Sequence, residues 1–304
     1  MTSYTLVTGA AGFIGSRLTE KLLDSGRNVL ALDCFLPNLY SAESKRQRWK
    51  NLKTKDSSKL ELVEFDLRYD DFSKLDHYQI ESVFNEAAMP GLVSNWANFA
   101  PYYECNLSAL NRLVEYFKDS QIKSFVQAST SSVYGKIAVG SEDQDLKPTS
   151  PYGVSKLAAE KLLLAYQDWF NLPVKILRYF SVYGPYQRPD MAYAKIIDCV
   201  KTGRKFQIYG NGEQKRTNTY IDDIVEATIL AEKLADVGDV MNICGDEALS
   251  LNEAIAIIEG ISNLKLKVEY IEIRKGDQKD TDGANFFAKK KLGWSARTDF
   301  KTGI

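Results

Sequence analysis

The chain has 304 residues, 44% hydrophobic and 26% charged, which is enough apolar material for a large buried core in one or two domains. Its 39 basic and 40 acidic residues are well mixed and leave a net charge of −1, so no basic field proposes a nucleic acid or a membrane surface as partner. No run approaches the roughly 18 apolar residues of a membrane span, and Met1-Thr2-Ser3-Tyr4 leads into a strand without a basic-then-apolar leader, so cytoplasm is the expected location.

Tyr4-Thr5-Leu6-Val7-Thr8 is a short β-rich run, followed by Gly9-Ala10-Ala11-Gly12-Phe13-Ile14-Gly15 and a helical pattern over Ser16 to Ser25. Strand, glycine turn and helix in that order suit an anion. Glycines at 9, 12 and 15 let backbone approach a pyrophosphate, and the helix start offers unpaired N–H groups. The second strand, Asn28 to Leu32, ends in Asp33, where a carboxylate accepts bonds from ribose hydroxyls and repels a 2′-phosphate. That argues for NAD over NADP. Glu43 to Lys53 reads as a basic amphipathic helix whose charges form a solvated face. Leu60 to Phe65 is a third strand, and Asp66 after it suits a cap. Ile80 to Phe84 is a fourth, ending in Asn85-Glu86-Ala87-Ala88, where small residues let backbone press against a ligand.

Pro101 to Lys118 reads as one long helix with Leu107, Leu110, Leu113, Val114 and Phe117 apolar. Ser124 to Ala128 is the fifth strand. The hydroxyl cluster Ser129-Thr130-Ser131-Ser132 follows at its carboxyl end, where doubly wound sheets place ligands. Ser150-Pro151-Tyr152-Gly153-Val154-Ser155-Lys156 then opens a helix through Leu157 to Tyr166, with proline in the first turn. Tyr152 and Lys156 are four apart and share a helix face. An ammonium beside a phenol near the positive end of a helix favours the phenolate, which predicts a tyrosine pKa below its usual value of about 10 and a candidate general base. Val174 to Phe180 is a sixth strand, Met191 to Lys201 a helix and Phe206 to Tyr209 a strand; Gly210-Asn211-Gly212 signals a hairpin, and another helix starts at Tyr220-Ile221-Asp222-Asp223. Cys34, Cys105, Cys199 and Cys244 show no paired metal spacing and read as free thiols. With His77 the only imidazole, neither a zinc site nor a Ser-His-Asp hydrolase is expected.

Together, the glycine loop, the cluster ahead of Val133-Tyr134-Gly135 and the Tyr152/Lys156 pair resemble the extended short-chain dehydrogenase/reductase superfamily, in its nucleotide-sugar epimerase and dehydratase branch. The resemblance spans nearly the whole chain. It implies an α/β fold: a doubly wound parallel sheet, or Rossmann fold, with a smaller α/β substrate-binding lobe. Residues 1–180, with 218–245 returning, would bind NAD; 181–217 and 246–304 would form the lobe, interwoven with the first part as one compact unit around a cleft. It places Gly9, Gly12, Phe13, Ile14, Gly15 and Asp33 on NAD, Asp66 and the backbone N–H of Leu67 at the adenine, and Ala87 and Ala88 under the cofactor. Asn106 would support the active-site loop, and Lys156 would hold the nicotinamide ribose beside Tyr152.

On the substrate side the resemblance makes Thr130 the catalytic hydroxyl with Ser129 in support, and adds Ser181, Arg188, Arg216, Arg274 and Asp277, the arginines as guanidinium forks for phosphate or carboxylate oxygens. Tyr152 and Thr130 then oxidise a UDP-sugar at C4 with NAD as acceptor, and return of hydride to the opposite face inverts the centre. The dehydratases of this branch carry Asp-Glu just after the catalytic threonine, and the decarboxylases a Glu at the second position. This chain has Ser131 and Ser132, which favours simple inversion. Arg188, within Gly184 to Ala192, matches an arginine associated with a C6 carboxylate and points to UDP-glucuronate becoming UDP-galacturonate, with UDP-glucose as the alternative. A non-catalytic NAD-binding sensor is the reading from another class; such proteins generally lose the tyrosine or the lysine. A homodimer through helices near 101–118 and 151–170 is also implied. The chain departs from the family in having Asn85 where a histidine is usual and Arg216-Thr217-Asn218-Thr219-Tyr220 where Arg-Asp-Phe-Thr-Tyr is common; relatives usually continue past Ile304 through a closing helix.

Overall fold

Alternation of apolar strands with helical segments produces a parallel sheet in the computed structural model of the chain, which describes residues 2–37, 40–54, 58–91, 96–273 and 276–304. The strands are β1 (Ser3–Thr8), β2 (Val29–Asp33), β3 (Leu60–Glu64), β4 (Gln79–Asn85), β5 (Ser124–Thr130), β6 (Ile137–Gly140), β7 (Val174–Tyr179), β8 (Val182–Tyr183), β9 (Lys205–Tyr209), β10 (Lys215–Thr217), β11 (Thr219–Tyr220), β12 (Val240–Ile243), β13 (Ala248–Ser250), β14 (Lys267–Ile271) and β15 (Asp280–Gly283). The main sheet has seven strands in the order β12-β7-β5-β4-β1-β2-β3. Strands β2, β5 and β7 are buried along their whole length, as strands covered on both faces must be.

Helices α1 (Phe13–Asp24), α2 (Ala42–Lys53), α3 (Ala100–Tyr102), α4 (Ala109–Phe117), α5 (Pro151–Phe170), α6 (Ala192–Thr202), α7 (Ile221–Leu234), α8 (Leu251–Ser262) and α9 (Phe286–Leu292) supply the cover. One face of the sheet packs Val7, Ala31, Phe84 and Leu177 under residues such as Leu18 of α1 and Ile224 of α7. The other packs Leu6, Leu30, Val83 and Phe125 under Leu113 of α4 and Leu163 of α5. Apolar positions of α6 and α8, Ile196, Ala254 and Ile258 among them, close a separate core with Phe206 and Ile208 of β9.

Two expectations from sequence change. The long helix at 101–118 is interrupted: Tyr103–Ser108 forms a π-helix between α3 and α4. Asn106 lies within this wider turn and is buried, on the same side as Tyr102, Leu110 and Leu113. The Gly210-Asn211-Gly212 turn makes no hairpin. Asn252, at the start of α8, donates its backbone N–H to Gly212 O at 3.1 Å and its side-chain amide to Asn211 O at 3.0 Å, and the chain is redirected. Strand β9 pairs in parallel with β14, while β10 pairs with β13 and β15. Strand β6, which the sequence reading did not mark, lies outside the main sheet alongside β15 in the order β13-β10-β15-β6 and ties the middle of the chain to its last part through backbone hydrogen bonds.

Candidate active site

Two glycines fix the entrance to α1. Gly9 has φ +65°, and a Cβ there would lie 2.8 Å from the Ala87 nitrogen; a Cβ on Gly15 would lie 2.3 Å from the Gly9 carbonyl oxygen. The loop is therefore closed against itself and against the end of β4, leaving its outer face to a ligand. Gly12 caps α1 with no side chain of its own, and Phe13 and Ile14 follow on the wall of the cleft. Asp33, buried at the end of β2, accepts from Ala11 N at 2.9 Å and Phe35 N at 2.7 Å. Burial pushes its carboxyl up, opposed by nearby Lys45 and by those two N–H bonds. A buried acceptor beside a side-chain-free backbone cradle fits the dinucleotide expected there.

Asp66 is held from within its own turn: Arg68 donates from its backbone N at 3.0 Å, from Nε at 2.9 Å and from Nη2 at 2.7 Å. Leu67 beside it is buried, with its carbonyl accepting from Arg112 at 2.7 Å. At the end of β4, Ala87 N donates to Thr8 Oγ1 at 3.2 Å and Ala88 follows. Asn85, in place of the usual histidine, is part of a buried ladder across three strands. Thr8 Oγ1 donates to Asn85 Oδ1 at 2.5 Å, and Asn85 Nδ2 donates to Gln127 Oε1 at 2.8 Å. Asn106 clamps the next segment, accepting from Met89 N at 2.7 Å and donating to Met89 O at 3.1 Å and to Ser155 Oγ at 2.9 Å.

Ser150 caps α5 by accepting from Gly153 N at 3.0 Å, which sets Tyr152 and Lys156 at the helix start beside the end of β5. Tyr152, Thr130 and Ser181 line one cleft of about 2060 Å3 together with Arg188, Arg216 and Asp277. The Thr130 hydroxyl accepts from Ser132 N at 3.1 Å and interacts with the Tyr152 phenol. Burial nevertheless raises the Tyr152 pKa, against the Thr130 bond and the Arg188 charge that lower it. The expected lowering by Lys156 is thus overturned: desolvation is the larger effect, and the ammonium itself donates to Ala128 O at 2.6 Å. Burial also brings Lys156 down to about 8.

Ser129 turns from the cleft wall into the interior, donating to Glu160 at 2.5 Å, and Glu160 pairs with Arg178. Arg188 forms a two-pronged pair with Asp190 at 2.9 and 2.8 Å, using two of its five N–H donors. Arg216 donates to the carbonyls of Gln278 and Lys279. Arg274 lies outside the described residues. Among the described residues no group of His, Cys, Asp and Glu is arranged to hold a metal. Gln278, unnoticed in the sequence, donates to the carbonyls of Ser131 at 3.1 Å and Gly135 at 2.8 Å, joining the segment beyond Asp277 to the turn after Thr130. Arg48 is buried rather than part of a solvated face, and reaches from α2 to Ala11 O and to Tyr186 O, both at 3.2 Å.

The family model described as the NAD dependent epimerase/dehydratase family matches residues 5–244. The UDP-glucuronate 4-epimerase of Thermodesulfobacterium geofontis is 35% identical over 99% of this chain and 94% of its own length. An uncharacterized UDP-glucose epimerase YtcB of Bacillus subtilis is 40% identical over 98% of this chain and 95% of its own. The crystal structure of UDP-glucuronic acid 4-epimerase from Bacillus cereus, in complex with UDP-glucuronic acid and NAD, superposes with a TM-score of 0.94 at 36% identity, covering 99% of this chain and 96% of that one. With its glycine cradle, its Thr130/Tyr152/Lys156 cluster and a match over most of its length, the chain belongs to the NAD dependent epimerase/dehydratase family.

Proposed function

We propose that the protein is a UDP-sugar 4-epimerase using NAD, acting on UDP-glucuronate to give UDP-galacturonate. The observation that carries the reading is the convergence of Tyr152, Thr130 and Arg188 on one cleft beside the glycine cradle. Gly9, Gly12, Gly15, Phe13, Ile14 and Asp33 hold the dinucleotide, with Asp66, Leu67, Ala87 and Ala88 along its length and Asn106 behind. NAD, when bound, supplies the acceptor and then the donor of one hydride. Thr130 holds the sugar C4 oxygen, Tyr152 takes its proton and later returns one, and the Lys156 ammonium stabilises the phenolate. Ser129 steadies this end of β5 through Glu160. Ser181, Arg216, Arg274 and Asp277 hold the nucleotide diphosphate side, and the unused donors of Arg188 meet a C6 carboxylate.

Ser131 and Ser132 leave no carboxylate after Thr130 to eliminate water or to serve a decarboxylase, which supports inversion as the outcome. UDP-glucose is the second reading, favoured by the engagement of Arg188 with Asp190. A homodimer through the helices near 101–118 and 151–170 accords with the exposed Tyr103, Val154, Trp169 and Phe170 on them. Incubation with UDP-glucuronate or UDP-glucose, followed by NMR of the sugar protons, tests the proposal. Galacturonate is the expected product; a 4-keto-6-deoxy sugar, a pentose or no conversion of either sugar would sink it. Tyr152→Phe should lower turnover by about 10²–10⁴-fold while leaving NAD bound.

A further inference from the structure

Glu86 sits where β4 ends, immediately before the alanines that pack on the glycine loop; a Cβ on Gly9 would lie 3.0 Å from its carbonyl carbon. Its side chain reaches β7, where the Tyr179 hydroxyl lies 2.9 Å from Oε1. The same hydroxyl is 2.8 Å from Thr228 Oγ1, and Thr228 Oγ1 is 2.7 Å from Ile224 O. Each hydroxyl has one proton, so the chain has two consistent settings. With Glu86 ionised, Thr228 donates to Tyr179 and Tyr179 to the carboxylate. With Glu86 protonated, the direction reverses and ends on Ile224 O.

Asn85 of β4 is registered against Gln127 of β5, so Glu86 follows beside Ala128, whose carbonyl accepts from Lys156 Nζ at 2.6 Å, while Tyr179 is registered against Thr130 on the other side of β5. The groups bearing on this carboxyl are thus Tyr179 of β7, Tyr152 and Lys156 of α5 and, through Tyr179, Thr228 of α7. Glu160, one turn along α5, adds a second negative charge that bears on Lys156. We propose that Glu86 is the counter-charge of Lys156, a positioning residue that works through the Tyr152–Lys156 pair and sets the pH range over which that pair is active. Burial raises the Glu86 carboxyl to about 7, opposed by the Tyr179 hydroxyl and by Lys156. As a carboxylate it favours the ammonium on Lys156 and disfavours the phenolate on Tyr152, so it moves both titrations upward. It also favours a cationic, oxidised nicotinamide over the neutral, reduced ring.

The inference rests on the epimerase reading for its pH consequence only. In Glu86→Gln both limbs of the pH–kcat/KM profile should move to lower pH by about one unit. The ratio of Kd for NADH to Kd for NAD+, measured by calorimetry on the full chain, should fall about threefold or more. An unshifted profile or an unchanged ratio overturns the proposal. Tyr179→Phe removes the donor and should shift both readouts in the same direction by less; if Glu86→Gln does not fold, this variant decides. Should the wild-type chain convert no UDP-sugar, the functional reading fails, yet the cofactor ratio still tests the role of Glu86.

Discussion

The guanidinium of Arg178 and the carboxylate of Glu160 meet in two hydrogen bonds, Nε to Oε1 at 3.0 Å and Nη2 to Oε2 at 2.8 Å, with both side chains buried. Arg178 continues to the Tyr134 hydroxyl at 2.8 Å, and Tyr134 to Asn242 at 2.7 Å. Helix α5, strands β7 and β12 and the short turn Ser131–Tyr134 are thereby pinned behind Thr130 and Tyr152. Glu160 lies one turn beyond Lys156, so the pair also sets the rotation of α5.

Glu160→Ala should leave Arg178 as an uncompensated interior charge and cost about 3–5 kcal/mol of stability. Urea denaturation of the variant measures this. A loss below about 1 kcal/mol would mean that water or another acceptor reaches the arginine.

Asn106→Ala removes two hydrogen bonds to the Met89 backbone at once. A stability loss of about 1–3 kcal/mol is expected from the lost buried hydrogen bonds, together with weaker NAD binding as the segment after Ala88 loosens. Calorimetry of NAD binding is the check, and an unchanged Kd would separate Asn106 from the cofactor site.

Lys156 carries a pH signature in stability. Its native pKa is lowered to about 8 from 10.5, chiefly by burial, so the unfolded chain holds the proton more tightly. The resulting cost is full below pH 8, fades as pH rises from 8 to 10.5, and is absent above. Lys156→Met should therefore be more stable than wild type near neutral pH, by an amount that shrinks across that window, while losing turnover. Thermal melts at a series of pH values follow the difference; a gap that grows with pH would contradict the sign.

Arg188→Ala should lower kcat/KM for UDP-glucuronate by about 10-fold or more through loss of a charge-assisted contact, and for UDP-glucose much less. Equal losses on the two sugars would assign Arg188 to its own loop, where Asp190 already holds it.

The glycine loop and the carboxylate beside it were legible because their signals are local. Gly9, Gly12, Gly15 and Asp33 follow from backbone closeness and from one carboxylate at a strand end, and in the structure Asp33 accepts from Ala11 N of the glycine loop. The doubly wound sheet was likewise readable from buried apolar strands alternating with helices. What escaped depends on partners distant in the chain. Arg178 interrupts an apolar strand and Glu160 lies on the buried face of α5, two anomalies that together signal a pair but separately signal nothing. The acidity of Tyr152 was misjudged because spacing reveals a lysine neighbour but not the desolvation that outweighs it. The π-turn around Asn106 and the pairing of β6 with β15 are tertiary events with no periodicity of their own.

That last pairing has a practical corollary. Asp280 to Gly283 are registered residue by residue against Ile137 to Gly140, so a fragment ending after β12 would present an unsatisfied strand edge just past Thr130 and the turn that follows it. Dissecting the enzyme into separately expressed halves would trade a working site for a sticky one, and chimeras with relatives should exchange both strands together.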